Sequence, residues 1–200
     1  MEFNRMFRRM IVASAVLSLG VLAPSAAQAI DRKGVYGYGS IGTLATDVTL
    51  TGPAGTRQRD AVGSQLRAGT GLRWSRYAAV EIEAHSTLGK APLGDLGSVG
   101  SAGLRGAVVG IVPLGRRVEL SGRLSAGRDR IQWNHGEANP FRVTVDTPLR
   151  LGVGAYYWIN DKAAIRLDIE QPIRRQVSTP IDRREVKAGA AALGLQYRFP

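Results

Sequence analysis

The chain has 200 residues, 25 of them glycine, with no cysteine and a formal net charge of +11. Without cysteine it has neither a disulfide frame nor a thiolate metal site, and with only 2 histidines a transition-metal centre is not expected. The basic balance excludes an acidic, self-solvating chain and suits anionic headgroups or polysaccharide as partners.

Taken in order, the first element is "NRMFRRM", a positive segment followed by the apolar run "IVASAVLSLGVLA" and by "SAAQA". This is the pattern of a secretory signal peptide with Ala27 and Ala29 at the cleavage positions. The run is shorter than the roughly 20 apolar residues of a spanning helix. The expected organisation is a signal peptide over 1–29 and one domain over 30–200. Arg5, Arg8, Arg9 and Glu2 leave with the signal, so the exported part carries +9. Such a protein would meet nucleic acid only incidentally.

The exported part alternates apolar and polar residues in eight segments, at 35–44, 63–74, 77–88, 100–112, 117–127, 148–159, 163–173 and 186–199. A period of two is the signature of strands. Connections after the second, fourth and sixth segments are tight, around Ser75 and Arg76, Pro113 to Arg116, and Asn160 and Asp161. Those after the first, third, fifth and seventh are long and polar. This strict alternation puts every long loop at one end, as an all-β, eight-stranded antiparallel up-and-down barrel requires. Pro113, Pro148 and Pro172 are expected at a turn, a strand start and a strand end.

Two inside-out barrels fit that pattern: a soluble one of lipocalin type, or a transmembrane one with apolar residues on lipid. The segment "AAIRLDIEQP" separates Ile165, Leu167 and Ile169 from Arg166, Asp168 and Glu170. Across the strands the polar face is mostly Gly, Ala and Ser with a few ions of both signs. That mixture suits a narrow lumen, whereas a wet outer surface would carry lysines, of which 30–200 has only Lys33, Lys90, Lys162 and Lys187. The transmembrane reading follows. It predicts a lumen network in which Arg67, Arg73, Arg105, Arg123, Arg150, Arg166 and Arg198 meet Glu81, Glu83, Glu119, Asp168 and Glu170. Trp74, Tyr77, Tyr157, Trp158, Tyr197 and Phe199 would form an interfacial girdle at the tight-turn end.

"GVGAYYWINDKAAIRLDIE" (152–170) resembles the penultimate hairpin of small Gram-negative outer-membrane barrels of the outer membrane protein A and X type. "ALGLQYRF" resembles their C-terminal insertion signal, with Gly194, Tyr197 and Phe199 on the matching positions, although here Pro200 follows the aromatic. The resemblance implies location in the cell outer membrane, contact with its lipid and lipopolysaccharide, and delivery by the barrel-assembly machinery. The chain is expected to be a monomer without cofactor and, as a departure from the longer relatives, to lack the peptidoglycan-binding domain that follows their barrel.

Because some barrels of this kind act on lipid A, catalytic groups matter. His85 and Ser86 are neighbours on a strand and point to opposite faces, while His135 and Glu137 sit in a long loop. "GYGSIG" lacks the helix and the Lys-Ser/Thr pair of a phosphate loop. The expectation is therefore no enzyme. It is a structural, envelope-integrity or surface-interaction role, adhesion or recognition, through long extracellular loops with a host or envelope partner. A lipid-modifying enzyme, a narrow ion pore and a soluble ligand-binding barrel are the alternatives. Arg174, Arg175, Arg183 and Arg184 cluster in the last long loop as a candidate lipopolysaccharide contact, since Arg forks match phosphate.

Overall fold

The computed structural model describes residues 30–52, 55–89, 91–92, 98–134, 140–173, 176–178 and 183–200. The expected signal peptide, His135, Glu137, Arg174 and Arg175 lie outside the described residues. Among the described residues there is no helix. The strands are β1 (Gly34–Gly52), β2 (Gly55–Ser75), β3 (Ala78–Leu88), β4 (Ala91–Pro92), β5 (Ser98–Pro113), β6 (Val118–Asn134), β7 (Pro140–Trp158), β8 (Ala163–Pro172), β9 (Gln176–Ser178) and β10 (Arg183–Arg198). All pairings are antiparallel, and β10 pairs back on β1 from Tyr36↔Arg198 to Thr51↔Arg183. The ring of eight is thus β1, β2, β3, β5, β6, β7, β8 and β10, with short β4 and β9 added to β5 and β10. Closure leaves no lipid-facing edge in the ring, the condition for strands in a bilayer.

Alternation in the sequence becomes alternation between lumen and outer face. Along β3 and β8 buried and open positions alternate almost without a break. The outer face is apolar and bare: Leu195 is 64% exposed, Leu104 59% and Ile82 58%. A continuous belt of such residues would aggregate in water, and it is what a barrel presents to acyl chains.

The tight turns lie together at one end. Asn160 Oδ1 accepts hydrogen bonds from the backbone N–H of Lys162 and Ala163, both 2.8 Å, the side-chain-to-backbone closure favoured in short turns. Gly115 turns at φ +118 while Leu114 N–H donates to Val118 O at 2.8 Å.

Two expectations change here. The first and third long connections are largely strand, because "VTLT" and "RVTVDT" keep a β-branched alternation that continues the ladder past the apolar belt. Pro148 lies inside β7 rather than at its start. It is tolerated because the β6–β7 register shifts between Ser125↔Arg150 and Gly127↔Thr147, so the missing N–H falls in an irregularity.

The extra length is uneven. Pairing of β2 with β3 ends at Ser64↔Leu88, and that of β7 with β8 at Arg150↔Pro172. By contrast β1–β2 runs to Gly52↔Gly55, and β6–β7 to Asn134↔Pro140. At the long-loop end pairing therefore continues furthest in two groups, β2, β1, β10 and β9 on one side and β5, β6 and β7, with short β4 added to β5, on the other, and stops earlier at β2/β3 and β7/β8.

Candidate functional site: an ion-filled lumen

Among the described residues the interior holds seven buried guanidiniums, Arg32, Arg67, Arg73, Arg105, Arg123, Arg150 and Arg166. Six buried carboxylates face them: Glu81, Glu83, Glu119, Asp129, Asp168 and Glu170. Charges removed from water must be paired, and the near balance of signs supplies each with opposite charges nearby.

At the tight-turn mouth, Glu119 takes Arg73 Nη1 at 2.8 Å and Arg32 Nη1 at 3.3 Å. Arg32 also donates from Nη2 to Arg116 O at 2.6 Å, and its guanidinium lies 4.4 Å from the Trp158 ring centre. Burial lowers the Arg32 pKa from its ordinary value, opposed by the charge of Glu119. This residue, ahead of β1, stoppers the mouth.

In the middle, Arg166 makes a bidentate fork on Glu81, Nη1 to Oε1 at 2.7 Å and Nη2 to Oε2 at 3.0 Å, and donates from Nε to Asp168 at 2.6 Å. Tyr36 donates its hydroxyl to Glu81 at 2.7 Å, and the Tyr38 ring lies 4.0 Å from the Arg166 guanidinium. Next, Arg123 Nη1 lies 2.9 Å from both Glu83 and Glu170, and Glu83 also accepts from Tyr38 at 3.1 Å. Arg67 donates to Gln65 at 3.1 Å and pairs with Glu170 at 3.5 Å.

Nearest the long-loop end, Arg105 Nη2 sits 3.0 Å from Asp129, and Arg150 reaches the same carboxylate at 3.5 Å. His85 Nε2 is 2.9 Å from Arg105 and 3.1 Å from Asp129. That nitrogen can accept from the first or donate to the second, one at a time. Ser86 points outward and bonds the backbone of Thr87, so the two make no nucleophile and base.

Arg67, Arg73, Glu81, Glu83, Arg105, Glu119, Arg123, Arg150, Arg166, Asp168 and Glu170 are all placed in the lumen. Arg198 departs from the expected network: it lies at the rim and donates to Lys33 O at 3.2 Å, because β10 ends there. Trp158 departs from the girdle. It is 2% exposed and packs inside with Tyr156 and Ala164, since even positions of β7 face inward. Trp74, Tyr77, Tyr157, Tyr197 and Phe199 are half exposed on the outer face. Gly194 faces inward, where any Cβ would strike Gly39 O and Ser40 of β1. Arg183 and Arg184 pair as backbone with Ser178 and Val177, and their side chains lie outside the described residues. Sequence reading missed Asp129 and Arg32. Asp129 shares the parity of Glu119, Ser121, Arg123 and Ser125, a signal available once β6 is extended; Arg32 precedes any strand pattern.

No curated protein matches the sequence. Among solved structures, Neisserial surface protein A aligns with a TM-score of 0.53 at 12% identity, over 80% of this chain and 97% of that one. Ail of Yersinia pestis, in complex with the heparin analogue sucrose octasulfate, gives 0.52 at 18% identity, over 83% and 99%. The Escherichia coli outer membrane protease OmpT gives 0.51 at 11% identity, over 84% and 97%. At these identities the likeness is one of fold. Residues 13–199 match the family described as the outer membrane protein beta-barrel domain. With the closed ring and its apolar outer belt, that match makes the chain a member of this family and an integral protein of the cell outer membrane.

Proposed function

We propose that this barrel is a plugged scaffold whose task is surface recognition, carried by the two groups of extended strands and the arginine-rich last loop. The observation that carries the reading is the register. Strands continue well beyond the belt on two sides of the ring, while the lumen below is spanned by ion pairs. A solute pore needs an open lumen instead.

The ligand class that suits Arg174, Arg175, Arg183 and Arg184 is a phosphorylated or sulfated surface polymer, lipopolysaccharide first, because guanidinium forks match such groups. The sulfated analogue bound to Ail, a protein of similar fold, supports the same class. The test is binding of the full chain in lipid vesicles to immobilised lipopolysaccharide, beside a variant with all four arginines changed to Gln. Each exposed charge contributes little, so only the quadruple change is expected to weaken binding clearly, about tenfold or more. Unchanged binding removes this partner. Lipid A from cells with and without the protein is expected to have the same mass, and a modified species would replace this reading with an enzymatic one.

A further inference from the structure

Charge on the ring strands is almost wholly internal. Among the described residues, the strand carboxylates and most of the strand arginines are buried in the lumen, Arg198 is half-buried at the rim, and only Arg128 and Arg130 of β6 are exposed. Buried Asp129 between them fixes the parity: both arginines point away from the lumen, on the face that carries Val118 and Leu124. The exposed cations of the tight-turn end, Lys33, Arg116, Arg117 and Lys162, lie off the strands and are mixed with exposed Asp31 and Asp161.

The depth of the pair follows from the strand. β6 begins at Val118, just after a tight turn. From there to Arg128, at roughly 3.3 Å per residue and a tilt of roughly 40°, the strand climbs about 25 Å along the barrel axis, the height of the apolar band of a membrane barrel. Arg130 stands about 5 Å further out. In the ladder Arg128 is the neighbour of Leu104, which is 59% exposed, so a belt side chain and the first cation stand side by side. Arg128 pairs on its other side with Asp146, while Arg130 lies between uncharged Ala102 and Thr144, which leaves the row net positive.

We propose that Arg128 and Arg130 hold a phosphate of one lipid A molecule of the outer leaflet, whose acyl chains lie on the belt beside Leu104 and Leu124. The long loops mark this end as the outer one, so the lipid met here is that of the lipopolysaccharide leaflet, with its phosphates at the upper edge of the acyl layer. Guanidinium forks match phosphate, and two of them about 7 Å apart along one strand face can hold it between them. This contact is with the lipid in which the barrel is embedded and rests on neither the loop arginines nor the recognition role.

The test is native mass spectrometry of the purified full chain titrated with bis-phosphorylated lipid A, with the same lipid after removal of both phosphates, and with phosphatidylglycerol. The protein is expected to retain one bis-phosphorylated lipid A in preference to the other two. The double variant Arg128→Gln, Arg130→Gln is expected to lose about tenfold of that affinity, with the dephosphorylated lipid unaffected. Both positions are exposed, so the lumen ion pairs and the barrel stay intact. Arg116→Gln with Arg117→Gln, and the quadruple loop variant, are each expected to keep the parental affinity. Equal binding of the two forms of lipid A, phosphatidylglycerol bound as tightly, undiminished affinity in the double variant, or an equal loss in either of the other variants each overturns the proposal.

Discussion

Arg166 of β8 and Glu81 of β3 meet through two parallel hydrogen bonds of 2.7 and 3.0 Å, although their strands stand diametrically opposite in the ring. Replacing Arg166 by Ala would strand a buried carboxylate together with Asp168. A loss of about 3–5 kcal/mol is expected, read as a lower urea midpoint for unfolding from vesicles. The double variant Arg166→Met, Glu81→Leu should recover much of it, because both charges leave together. A single variant as stable as the parent would show that the fork does not bind the ring.

Leu167 points the other way from Arg166 and is 44% exposed. Leu167→Arg should cost about 2–4 kcal/mol if that face meets hydrocarbon. Leu167→Ile, measured alongside, should be close to neutral. An arginine accepted there without loss would mean that water, not lipid, covers β8.

Trp74 and Trp158 give an optical version of the same contrast, at 50% and 2% exposure. With Trp133 and one of these two changed to Phe, bromine-labelled acyl chains should quench the protein that keeps Trp74 and spare the one that keeps Trp158. Equal quenching would place both rings in the girdle.

Arg32 closes the mouth through Glu119 and Trp158. Planar-bilayer recordings should find the parent nearly silent and Arg32→Ala more conductive, with shorter openings at low salt, where the remaining ion pairs are least screened and hold the lumen most tightly. Identical traces would show that the stopper is not the narrowest point.

The sequence disclosed the face assignment well, because a period of two leaves each strand only two orientations, and Arg, Glu and Asp beside Gly and Ser mark the narrow side. Trp158 shows the limit of composition: an aromatic near a turn resembles a girdle residue, yet its parity with Tyr156 and Arg150 puts it inside. Strand ends were less legible. Beyond the membrane both faces are wet, so "ATDVTLTG" loses its apolar partners and looks like loop while its backbone still pairs with β2 and β10. Asp129 went unnoticed for the same reason. Its segment "RDRIQW" reads as polar although Asp129 keeps the lumen parity.

The ties inside the lumen skip across the ring. Arg73 on β2 reaches Glu119 on β6, Arg123 on β6 reaches Glu170 on β8, and Arg166 spans the full diameter. The backbone ladder is then a hoop and the ion pairs are its spokes. A hoop alone flattens under sideways pressure, whereas a spoked one keeps its roundness, so squeezing by the surrounding lipid is carried through the centre.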